Sequence, residues 1–105
     1  MSNNINSEIG SLIQNVIDKH KDELYPLTIN FVVGGNETAV SFISEIVAIT
    51  SLSLKDLFLI HPKSNLIMGN KQAYAERFTQ VSALKIADLL MIDCLQRMEN
   101  ITKEN

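Results

Sequence analysis

"VVGGNETAVSFISEIVAITSLSLKDLFLIHP", residues 32–62, decides the fold. Two adjacent glycines separate an apolar run from a clear helical pattern. From Asn36 onward, Ala39, Phe42, Ile43, Ile46 and Val47 fall on one helical face, with Glu37, Ser41, Ser44, Glu45 and Ala48 on the other. Asn36 is a good N-cap residue, and Glu37 suits the positive end of the helix dipole. The spacing predicts a helix to about Ser51. "SLKD" at 53–56 then reads as a capping-box-like start for a second, short helix carrying Leu54, Leu57, Phe58 and Ile60, which His61-Pro62 stops. The pair would form a helix–turn–helix-like corner, a device used for DNA docking and for ordinary packing alike.

The glycines are not expected to cradle phosphate. A phosphate loop needs converging backbone amides, usually with a lysine that reaches the anion. Here Asn-Glu-Thr follows, no lysine lies in the next helix, and Glu37 would repel phosphate. The structural role is simpler: Gly34 closes one element in a left-handed conformation and Gly35 lets the chain begin the next.

Outward from this centre, both flanks read as helical. Ile5, Ile9, Leu12, Ile13, Val16 and Ile17 recur at steps of three and four from near Asn3 or Ser7, ending in the charged run "DKHKDE" before Tyr25-Pro26. This stripe suits a dimer seam as well as an internal core, and Ile9, Leu12, Ile13, Val16 and Ile17 are the dimer-interface candidates. "PLTINFVV" at 26–33 reads either as a strand, from the alternation of Leu27, Ile29 and Phe31, or as a short helix begun by Pro26. Helix is favoured because no convincing second strand lies nearby. "NLIMGN" at 65–70 reads as a short extended piece. A long last helix is expected over about 71–100, with Tyr74, Phe78, Val81, Leu84, Met91, Leu95 and Met98 in one stripe, broadened by Ile86, Leu89, Leu90 and Ile92. A helix apolar on more than one side is wrapped by others, from its own chain or another subunit. Residues 1–4 and 102–105 are expected to fray.

The 105 residues, 46% hydrophobic and 20% charged, match one ordinary globular domain rather than a disordered chain. No basic region followed by an apolar one opens the sequence, and no apolar run approaches the roughly 18 residues of a membrane span. A cytoplasmic protein without membrane contact is expected. The single cysteine, Cys94, excludes an internal disulfide and reads as a small buried hydrophobe. His20 and His61 have no further histidine or cysteine at ligand spacing, so no metal or cofactor is expected. No nucleophile, base and carboxylate stand in a pattern suggesting catalysis, and no enzyme is expected.

Net charge is −3, which argues against a stand-alone nucleic-acid binder. The basic residues concentrate in the middle: between 53 and 85, Lys55, Lys63, Lys71, Arg77 and Lys85 face only Asp56 and Glu76.

"FVVGGNE" (31–37), a helix, "LSLKDLFLI" (52–60) and "NLIM" (65–68) together resemble the FlhD family, the small subunit of the flagellar master transcription activator. "FTQ" at 78–80 and "LL" at 89–90 fall near comparable positions, so the likeness covers roughly residues 10–95. It departs at Val32, where the flagellar proteins place a basic residue, and at Met68, where some carry a cysteine. The helix after residue 37 is also longer. These differences point to a divergent relative, of the kind carried by conjugative plasmids and integrative elements. The resemblance implies an all-α homodimer that joins a zinc-binding FlhC-like partner, binds promoter DNA within that complex and recruits RNA polymerase. On this reading Lys63, Lys71, Arg77 and Lys85 are DNA-contact candidates, and Phe31, Asn36 and Glu37 are partner-interface candidates, with Phe31 reading equally well as core. The alternative is a helical interaction protein without DNA contact, such as a secretion chaperone, an antitoxin or an immunity protein.

Overall fold

The computed structural model describes the backbone of residues 2–35 and 38–104 and the side chains of residues 10–35 and 38–101. Within them the chain is all-α, in four helices: α1 (Ser2–Lys19), α2 (Lys21–Ile29), α3 (Ala39–Ile60) and α4 (Lys71–Glu104). A turn of π-helix, Asn30–Gly34, extends α2, and a 3-10 turn, Pro62–Leu66, precedes α4. Helix thus continues into terminal residues expected to fray. No helix among the described residues is long and apolar enough to cross a membrane.

The stretch that opens at Ala39 folds differently from its sequence pattern. Thr38 is the N-cap of α3, its Oγ1 accepting the Ser41 N–H at 3.1 Å; the expected cap, Asn36, lies outside the described residues. The helix then runs unbroken to Ile60, and no corner forms at 51–53. Phe42, Ile46, Thr50 and Leu54 follow one another at steps of four, and all are essentially inaccessible. This buried line crosses the expected break, and interrupting the helix there would pull Leu54 off the core. The Ser53 hydroxyl, read as a cap, instead lies 3.0 Å from His20 Nε2, tying the α1–α2 junction to α3.

Left-handed backbone occurs one residue later than expected. Gly35 has φ +67°, whereas Gly34 ends the π-turn without a positive φ. Pro26 lies inside α2 rather than at its start. "PLTINFVV" is therefore helical, first α then π. At the other turn, Ile67 is extended (φ −79°, ψ 120°) just after the 3-10 residues, so the expected extended piece is one residue flanked by turns.

The sharp reversal of the chain lies between α3 and α4. Ser64 Oγ donates to the Leu59 carbonyl, and Asn70 Oδ1 caps α4 by accepting the Gln72 and Ala73 N–H groups. Phe58 then meets Phe78, with ring centroids 5.3 Å apart, and the two long helices run back along each other as the main interface of the molecule. The side α4 gives to this interface is built from small residues: Ala75, Thr79, Ser82, Ala83 and Ala87, with Ile86, Leu90 and Cys94. Small side chains let the two backbones approach closely. The buried threonine hydroxyls are satisfied within their own helices, Thr28, Thr50 and Thr79 each donating to the carbonyl four residues back (Leu24, Ile46 and Ala75) at 2.7–2.9 Å.

α1 lays Ile13, Val16 and Ile17 onto this hairpin, and α2 adds Leu24. Ile13, Val16 and Ile17 keep only 3–5% of their surface, so three of the five expected dimer-seam residues belong to the chain's own core. Leu12 is half-buried, and the side chain of Ile9 lies outside the described residues. The result is elongated, 55 × 30 × 19 Å, with a radius of gyration of 15.5 Å. A compact chain of this length would have about 13 Å.

Candidate interaction surfaces

Two surfaces present chemistry that the core does not use. One is a groove between α2 with its π-turn and the C-terminal half of α4. The π-turn turns Phe31 inward, where its ring stacks face to face on Phe42 (centroids 4.4 Å apart, planes 6° apart). Phe31 is therefore half-buried against the core rather than displayed to a partner; Asn36 and Glu37 lie outside the described residues. With Phe31 turned in, Ile29 and Val33 are left facing outward, 52% and 65% exposed.

Across from them stand Leu90, Cys94, Met98 and Ile101, and together these residues enclose a cavity of about 320 Å³, open on one side. Its rim is polar at one edge. Arg97 Nε donates to Asp93 Oδ2 at 3.0 Å, and the Arg97 guanidinium lies 4.8 Å from the centre of the Tyr25 ring. The ion pair is surface-exposed and adds little stability by itself. Its effect is to hold a planar cation at the edge of an apolar trough. The groove escaped sequence reading because its walls lie some sixty residues apart and each reads locally as core.

The other surface carries the basic candidates. Lys63 sits in the 3-10 turn, and Lys71 Nζ donates to Asn65 Oδ1 of the same turn at 3.1 Å. Arg77 lies one to two turns into α4, its guanidinium 5.4 Å from the Tyr74 ring centre. Lys85 follows about two turns later, about 80° round the helix from Arg77. Lys63, Arg77 and Lys85 are exposed and Lys71 is half-exposed. All four lie near the α3–α4 turn or in the first half of α4, where Tyr74, Val81 and Leu84 are also exposed.

Cys94 is buried and unpaired by disulfide, as its helical setting predicts. His61 ends α3, its Nδ1 accepting the Lys63 N–H at 3.2 Å. No family model, no curated protein and no solved structure matches the chain.

Proposed function

We propose that this chain is a helical interaction subunit, and that the groove between α2 and α4 receives an apolar or amphipathic helical segment of a partner protein. The apolar trough walled by Ile29, Val33, Leu90, Met98 and Ile101 carries this reading. Its form suits the helix-in-groove mode, in which side chains three and four residues apart enter an apolar channel while a charged rim sets the register. Arg97, steadied by Asp93 and Tyr25, is the rim group and would select a carboxylate on the incoming segment. The experiment is site-specific photocrosslinking from position 33 or 101 in the native host. One recurring partner, lost on Ile29→Asp but retained in Lys55→Ala, is the expected result. Crosslinks scattered over unrelated proteins, or unchanged by Ile29→Asp, would overturn it.

A second reading is supported by the basic flank. In it the subunit is part of a cytoplasmic FlhD-like transcription activator, joined to a zinc-binding FlhC-like protein on promoter DNA. Lys63, Lys71 and Lys85 would neutralise phosphates while the partner supplies the remaining positive charge, consistent with a chain of net charge −3. Gel shifts on promoter fragments, with and without a co-expressed basic partner, test it. Binding that needs both chains is expected, with Lys71→Ala flattening the salt dependence by about one counterion. No shift with both chains present would remove this reading.

A further inference from the structure

α4 is unusual in which face it buries. Its small residues face α3, while Tyr74, Val81, Leu84, Leu95 and Met98 stand outward at 43–65% exposure. Counted along the helix, Tyr74, Arg77, Val81, Leu84, Asp88, Met91, Leu95 and Met98 alternate steps of three and four without interruption. That is a two-position heptad seam, the pattern of a helix that packs lengthwise on another. Among the described residues Tyr74, Arg77, Val81, Leu84 and Asp88 stay exposed, while Met91 is half-buried against the core and Met98 also walls the α2 groove.

We infer that a second copy of this chain occupies the seam, with the two α4 helices running antiparallel. The two charged seam positions select this occupant and this direction. Arg77 and Asp88 lie eleven residues apart, about 16 Å along the axis, too far to pair within one helix. The Arg77 guanidinium lies over the Tyr74 ring, and among the described residues neither Arg77 nor Asp88 has an ion-pair partner. Parallel pairing would set Arg77 against Arg77 and Asp88 against Asp88. In the antiparallel register centred between Val81 and Leu84, the six positions from Tyr74 to Met91 pair in complementary layers instead. Tyr74 meets Met91, Arg77 meets Asp88 and Val81 meets Leu84, and each layer recurs by the two-fold axis. A shift of one heptad either way, pairing Tyr74 with Met98 or with Leu84, sets Arg77 on Leu95 or on Val81 and leaves both charges unpaired.

The surface area agrees. The chain exposes 7226 Å², where a compact monomer of its mass would expose about 5,900 Å². That excess marks an open surface to which the seam contributes together with the α2–α4 groove. In this dimer Arg77 is withdrawn from phosphate, leaving Lys63, Lys71 and Lys85 on the basic flank. The groove of α2 shares only Met98 with the seam and stays open, because Met98 lies beyond the paired layers.

Sedimentation equilibrium on the full chain over a concentration series tests the inference, with circular dichroism to confirm that each variant keeps its helix content. The wild type is expected to dimerise. Arg77→Glu and Asp88→Arg, both on the exposed face, should each weaken the dimer by roughly tenfold or more, and the double swap should restore it. Mixed Arg77→Cys and Asp88→Cys chains should crosslink to each other in preference to themselves. A monomer at about 100 μM, a double swap as weak as the single changes, or preferential self-crosslinking at position 77 would each overturn it.

Discussion

Gly35 is held at φ +67° with nothing near the place a Cβ would occupy, while Gly34 has the same open space and no positive φ. The two neighbours should therefore respond to alanine with opposite sign. Gly35→Ala meets only backbone strain and is expected to cost about 1 kcal/mol, whereas Gly34→Ala restricts the unfolded chain and should be neutral or stabilising by a few tenths. Urea unfolding of the two variants reads this directly. Inaccessible Thr50 poses a similar contrast with Leu54. The Thr50 hydroxyl returns its hydrogen bond to the Ile46 carbonyl, which as a mid-helix group also has the Thr50 N–H. Thr50→Val keeps the shape and orphans no group, so a change within about 1 kcal/mol is expected. Leu54→Ala opens a cavity and should cost about 2–5 kcal/mol.

At the scale of the element, the continuity of α3 is the decisive feature, and Leu52 probes it cleanly. This side chain is 77% exposed, so Leu52→Ala should leave stability almost unchanged. Leu52→Pro would remove a helix-interior N–H and clash with the preceding turn, costing about 3 kcal/mol or more. A corner at that point would have tolerated proline; thermal melts of the two variants distinguish the cases. The same residues explain what the sequence could disclose. Period alone revealed the helices, because Phe42, Ile46, Thr50 and Leu54, or Ile13, Val16 and Ile17, repeat at helical steps wherever they pack. Period could not show that "SLKD" lies within a helix, because a capping box and a mid-helix Ser followed by Asp look alike until His20 is seen beside Ser53. Nor could it show which side of α4 is inside. The largest side chains drew attention to the outward stripe, and the buried face, rich in alanine, serine and threonine, carries a weaker signal. Pairing of Tyr25, Ile29 and Val33 with Leu90 and Met98 across the groove is tertiary and had no local trace at all.

For the whole molecule, the consequence of an α4 that buries mostly small residues and leaves large ones outside is that stability should depend on concentration. The hairpin of α3 and α4 closes the core, but the elongated form leaves Val81 and Leu84 in water at 65% and 51% exposure. A protein that buries such a face by self-association gains stability through mass action, because the unfolded chain does not bind the second copy. The melting temperature is therefore expected to rise by several degrees between low and high micromolar protein, as a gain of about 1 kcal/mol moves a domain of this size by about 4–8 °C. Leu84→Glu should abolish that dependence. It places a charge at the centre of the seam and removes no core contact, so its melting temperature at the lowest concentration should equal that of the wild type. A wild-type melting temperature that stays constant across a hundredfold range would mean that water alone covers the seam. A drop in Leu84→Glu at every concentration would place Leu84 in the monomer's own stability rather than in an interface.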